Sequence, residues 1–300
     1  MIRRLIAVVM MTVSFSSYSA QNSIELVTSF PPGGWIDLVS RETQQYLQQK
    51  LRRPVVLQYK VGANGKIAAD YVLSQPSSAN TFLIMPTGSL MGKVTDPDSF
   101  PEFTEFNWTI PIATTSAVMA VNNKIGVTNL KEFVSLANTK KLNCGSSTGA
   151  ATLFGQYIFK KLNIETQIVP FKGSSDLHAQ LFGGHVDCGF DSLVALEEAI
   201  KAKQVNLILT GTPVKDYPVK TFNDIEPGLK FGLFIGIAGP TKHYGADQQL
   251  VLDAMKDMHK DPVIKAKLNK ARVDMPVPGD LQYIQKEYNF FKSVSREISK

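Results

Sequence analysis

Ser147 stands at the centre of "GSSTG", residues 145–149, the G-x-S-x-G spacing that sets a nucleophilic serine on a strand-to-helix turn. A hydrolase would complete it in the order Ser, Asp, His, which Asp191 or Asp224 followed by His243 or His259 satisfies. No H-G-G-G-type stretch, the usual source of an oxyanion hole, stands in the sequence. The same loop supports a second chemistry. Ser146, Ser147, Thr148 and Gly149 supply hydroxyls and backbone amides, neutral donors that suit an oxygen-rich or anionic small molecule.

Other loops share this composition. They are "FPPGG" (30–34), "GANGK" (62–66), "PTGSLMG" (86–92), "FKGSS" (171–175) and "FDSL" (190–193), and none contains Arg or His. Pro31 and Pro32 have no N–H, so donors in the first loop come from Gly33, Gly34 and Trp35. Asp37 either contacts a ligand or complements the dipole of the helix that follows. Lys172 is a solvated surface residue or a ligand contact. Asp191, at a strand end, orients a water, accepts from a ligand ammonium or caps the next helix. The four histidines, His178, His185, His243 and His259, form no H-x-x-x-H pair, and no C-x-x-C spacing exists, so no metal site is expected. Cys144 and Cys188 are read as buried small hydrophobes, with a disulfide as the alternative.

The elements that position these loops alternate. Strand-like and helix-like runs follow one another as Ile24–Ser29, Ile36–Leu51, Val55–Gln58, Ile67–Leu73 and Phe82–Met85, the pattern of a parallel sheet with crossover helices. The rhythm returns in a second block: Leu142–Gly145, Ala151–Lys161, Gln167–Pro170, Asp176–Phe182, Val186–Phe190, Val194–Ala202 and Val205–Leu209. Two α/β units are expected. Between them run "WTIPIATTSAVMAVN" and "KFGLFIGIAGP", extended segments suited to crossing from one unit to the other, and the tail from Ala246 reads as helices broken near Asp261–Pro262. In such folds ligands bind beyond the carboxyl ends of the strands, where these loops gather.

The first twenty residues, "MIRR" followed by an apolar run from Leu5 to Val13 and a small polar stretch, read as a secretory signal peptide. Loss of Arg3 and Arg4 with it takes the net charge from +6 to +4, an excess with no basic block and no aromatic–basic interleaving, so no nucleic-acid partner is expected. No later run reaches the ~20 apolar residues of a membrane span.

At the loops the sequence resembles the periplasmic receptors of tripartite tricarboxylate transporters, the Bug receptors. "SFPPGGWIDLVSR", "VGANGKIAADYV", "LNCGSSTGA" and "VPFKGSSDLHAQLFGGHVDCGFDSL" match that family's motifs in order. The resemblance implies an α/β type II periplasmic-binding-protein fold: two α/β domains joined by two crossing strands, here 21–116 plus 236–300 and 117–235, with a ligand cleft between. It implies a monomer without cofactor or catalysis that captures a small carboxylate through main-chain amides and ordered waters. Delivery would be to a membrane permease, with presentation to a sensor kinase as the alternative. Ligand contacts are then expected at Phe30, Pro32, Gly33, Gly34, Trp35, Asp37, Asn64, Thr87, Gly88, Ser89, Ser146, Ser147, Thr148, Gly149, Lys172, Gly173 and Asp191. Trp35, Asn64 and Lys66 depart from the family pattern, so ligand identity does not transfer; the bulk of Trp35 suggests stacking or a narrowed cleft.

Overall fold

The computed structural model describes residues 23–76, 78–243 and 245–299. The expected signal peptide lies outside them. The first described strand is β1 (Ile24–Thr28), whose run is almost wholly buried: parallel neighbours pair with both its edges, and the crossover helices pack against it. The neighbours are β2 (Val55–Tyr59) and β3 (Asn80–Pro86). Helix α1 (Trp35–Leu51) makes the first crossover, burying Ile36, Val39, Thr43, Tyr46 and Leu47 at helical spacing, and it stops at Arg52 in left-handed conformation (φ 52°). Helix α2 (Lys66–Ser74) makes the second, and α3 (Thr87–Thr95) leaves β3 with no intervening loop.

Strand β4 (Phe106–Asn122) is the longest, and nearly all of it is buried. Helix α4 (Leu130–Ala137), β5 (Cys144–Ser146), α5 (Gly149–Lys161), β6 (Ile168–Pro170), α6 (Ser174–Gly183), β7 (Cys188–Ser192), α7 (Leu193–Lys201) and β8 (Val205–Thr210) then form the second unit. Short β9 (Lys220–Thr221) and α8 (Phe222–Ile225) precede β10 (Gly232–Pro240), and α9 (Ala246–Met258), α10 (Pro262–Lys270) and α11 (Leu281–Ile298) close the chain.

The strand order β2-β1-β3-β10-β4-β7-β5-β6 shows how the units join. Phe106–Ser116 of β4 pairs antiparallel with β10, while Ala117–Asn122 pairs with β7 and β8, so one strand belongs to both sheets. The chain returns beside this point, where the Gly211 amide donates to Ala117 O and the Phe231 amide to Gly211 O. Tail segments lie on both units. Asp274 and Thr114 exchange backbone hydrogen bonds, and Arg272 pairs with Glu197 and Asp216 of the second unit. Helix α11 packs Tyr288 on Phe103 and Phe291 on Phe231, and its Glu297 meets Lys161 at 2.5 Å.

One expectation is overturned. Cys144 and Cys188 are fully buried but are not independent small hydrophobes: they sit directly opposite in the parallel β5–β7 pair and form a disulfide, their Cα atoms 4.6 Å apart. That register sets the separation a disulfide needs.

Candidate ligand cleft

Two helix starts face each other between the units. Helix α1 follows Gly34 and α6 follows Gly173, and neither N-cap glycine has a side chain to satisfy the first-turn amides. The first intrahelical bonds run from Leu38 N to Gly34 O and from Leu177 N to Gly173 O, which leaves Trp35, Ile36, Ser174 and Ser175 with outward-pointing amides. Nearby helices are built differently. Thr148 Oγ1 accepts from Ala151 N at the start of α5, and Ser192 Oγ from Ala195 N at the start of α7.

Phe30, Pro31, Pro32, Gly34, Trp35 and Ile36 from one side and Thr148, Gly173, Ser174 and Ser175 from the other line a cavity of about 20 Å³. That is room for roughly one water. The walls approach closely at glycines: a Cβ at Gly173 would lie 3.4 Å from Pro31 Cγ and one at Gly34 3.8 Å from Ser174 Oγ, and within the first unit one at Gly88 would lie 3.0 Å from Phe30 Cζ. Trp35 is only 4 % exposed and packs in the core, so it narrows the cleft as a wall. No Lys or Arg lines the cavity, and Lys172 is exposed beside it.

Asp37 sits in the first turn of α1, where its carboxylate accepts from Gly33 N (3.0 Å), Tyr59 Oη (2.5 Å) and Arg41 Nε (3.0 Å). The Gly33 amide is therefore turned to Asp37, in place of the ligand-facing role expected of it. Burial pushes the Asp37 carboxyl up, but the bonds from Tyr59, Gly33 and Arg41 together with the Arg41 charge outweigh it and hold the group below its ordinary value. Burial, then the Asp37 contact, raises Tyr59 to about 12, so it remains a donor. Since the folded-state value of Asp37 is lowered, its stabilisation is complete above the unfolded value near ~3.9 and is lost as pH falls through the folded value. Asp37→Asn should lower the urea midpoint at pH 7 and converge on the parent below about pH 4; a gap that widens in acid would refute this.

Asp191, 2 % exposed, organises the second wall. Its Oδ1 accepts from Ser147 Oγ (2.7 Å), Ser174 Oγ (3.1 Å) and Ser192 N (2.7 Å), and its Oδ2 meets His178 Nε2 at 2.9 Å. The cap of α7 is Ser192, not Asp191. Ser147 thus gives its proton to a carboxylate, and His178 lies beyond that carboxylate instead of between it and the serine, the reverse of a hydrolytic triad. His243 and His259, the bases that order would call on, bind the carbonyls of Gln75 and Lys256. Ser146 Oγ is paired with Thr152 Oγ1 at 2.6 Å.

Other expected contacts divide. Gly88 touches both walls, since a Cβ there would be 3.6 Å from Thr148 Cβ, and a Cβ at Gly149 would lie 3.8 Å from Asn64 Oδ1. Thr87 instead ties α3 to β10, accepting from Phe234 N and donating to Phe234 O, and Ser89 is buried against Ser29. Ser174 and His178 were missed by sequence reasoning. Their spacing of four residues on a helix opening with the "KGSS" loop was the available signal. Among the described residues no three of His, Cys, Asp and Glu gather to hold a metal ion.

The UPF0065 protein of the tcbD–tcbE intergenic region of Pseudomonas sp. (strain P51) is 28% identical over 219 residues, spanning 69% of this chain and 65% of that protein's length. Two solved structures share the fold at 20% identity. Rpa4515 of R. palustris with adipate has a TM-score of 0.81, covering 92% of this chain and 96% of that one. MatC (Rpa3494) of Rhodopseudomonas palustris with bound malate has a TM-score of 0.77, covering 91% and 98%. The architecture is that of type II-like periplasmic binding proteins. The family model of the tripartite tricarboxylate transporter family receptor matches residues 39–298, and the chain belongs to that family.

Proposed function

We propose that this protein is a periplasmic solute-binding receptor that captures a small carboxylate and delivers it to the membrane permease of a tripartite tricarboxylate transporter. The observation that carries the reading is the pair of uncapped starts of α1 and α6 facing one cavity. Each helix N-terminus holds about half a positive charge and orphan donors, so a carboxylate between them is bound without any cationic side chain. Adipate and malate in the two related structures are ligands of that class.

Binding, not turnover, is the role of this cleft, because the Ser147 hydroxyl is committed to Asp191 with no base to activate it. Residues 21–116 with 236–300 form one body and 117–235 the other, closing over the ligand about the Ser116–Ala117 crossing. Residues 1–20 direct export and are removed, and the mature chain acts as a monomer.

A thermal-shift screen of mono-, di- and tricarboxylates on the mature chain tests the reading. A cognate ligand at one hundred times its Kd adds about 2.7 kcal/mol, hence roughly 5 °C or more in melting temperature, and small-angle scattering should record compaction. No response to any carboxylate, or stoichiometric fluorophosphonate labelling at Ser147, would sink it.

A further inference from the structure

A serine hydroxyl has one proton. Ser147 and Ser174 both spend theirs on Oδ1 of Asp191, and each is left with lone pairs only. The same Oδ1 also accepts from the Ser192 amide, so it acts toward all three neighbours as an acceptor, while Oδ2 faces His178. Ser174 is on the cleft wall, its Oγ opposite Gly34. The second unit therefore presents an acceptor to the ligand at this point, contrary to the donor role expected of these loops.

Resting on the receptor reading above, we propose that the ligand bears a hydrogen-bond donor, a hydroxyl or an ammonium, on the carbon next to the carboxylate held at the start of α6. The position follows from the turn. Ser174 is the first residue of α6, so its Oγ and the helix-start amides belong to one turn, and the group that meets Oγ stands one or two bonds from the carboxylate. A ligand with only C–H there leaves a desolvated acceptor unpaired, and sites built this way reject the analogue lacking the donor. The acceptor oxygens of Asp191, buried behind the serines, act in the same direction: a second carboxylate finds only acceptors at this point of the wall and must point toward the first unit, whereas a hydroxyl or ammonium finds a partner.

Calorimetric titration of the mature chain with three matched sets tests this: propionate, lactate and alanine; succinate, malate and aspartate; adipate, 2-hydroxyadipate and 2-aminoadipate. Within the set that binds, the hydroxy or amino member should be at least about tenfold tighter than the unsubstituted parent. Whichever of the two is tighter identifies the donor. Ser174→Ala, at a half-buried position, should abolish the difference, and Asp191→Ala, which returns the protons to the serines, should bring the parent level with the others. If Asp191→Ala does not fold, the Ser174→Ala ratio decides alone. A parent compound that binds as tightly as both derivatives overturns the inference and leaves the receptor reading intact. A preference that survives Ser174→Ala also overturns it. Silence across all nine compounds, together with no response in the wider carboxylate screen, removes the receptor reading, and this inference with it.

Discussion

Gly173→Val weakens ligand binding by about one to two orders of magnitude while the unliganded protein melts within a few degrees of the parent. The backbone at Gly173 is extended (φ 167°), a conformation any residue adopts, so the substitution introduces no local strain. What it introduces is volume. A Cβ there already lies 3.4 Å from Pro31 Cγ across the cleft, and the two further carbons of valine must displace either the "FPPGG" loop or the start of α6. Overpacking of this kind costs about 1–3 kcal/mol. Because Pro31 and Gly173 belong to different units, that cost falls on the closed arrangement and hardly on the open one, and so appears in affinity. Calorimetry and thermal denaturation on the same preparation check it, and unchanged affinity in a folded variant would show that the ligand does not lie between these helix starts. Gly33 is less suitable for the test, since its φ of 96° makes any substitution strain the loop itself.

Removing the disulfide has the largest expected effect on stability. With a sequence separation of 44 between Cys144 and Cys188, the chain-entropy relation assigns the crosslink about 4 kcal/mol. The Cys144→Ala/Cys188→Ala double variant should lose most of that in urea unfolding and melt roughly 5–15 °C lower. Binding should weaken with it, because the crosslink joins β5 and β7 three residues before Ser147 and Asp191, whose hydrogen bond organises the second wall. The parent in reductant should keep its bridge until it unfolds, both cysteines being fully buried. A double variant as stable as the parent would mean that the strands hold this register without help.

What the sequence disclosed follows from where the physics is local. Hydrophobic periodicity placed α1, β1, β2 and β3 within two residues, and the two long apolar runs became β4 and β10. Helix α3 escaped because "TGSLMGKVT" carries two glycines and reads as loop, yet burial against the second unit holds it helical. The disulfide escaped because a separation of 44 residues says nothing about adjacency, which only the β5–β7 register decides. The cleft was legible as a cluster of glycines, serines and threonines at strand ends. The direction of its hydrogen bonds was not: that Ser147 donates to Asp191, and that Ser174 and His178 join them, depends on three segments meeting in space.

The small cavity has a kinetic meaning. A space of about 20 Å³ holds a water and no carboxylate, so cargo cannot simply fall into the arrangement described here. In the receptor proposed above, entry waits for the mouth to part, and the association rate is capped by how often the protein opens, whatever the concentration outside. Departure waits on the same event, so tight capture also means slow spontaneous loss. On that proposal the latch gives up its cargo promptly only when something else pries the two walls apart, and the surface that does so would control the timing of delivery.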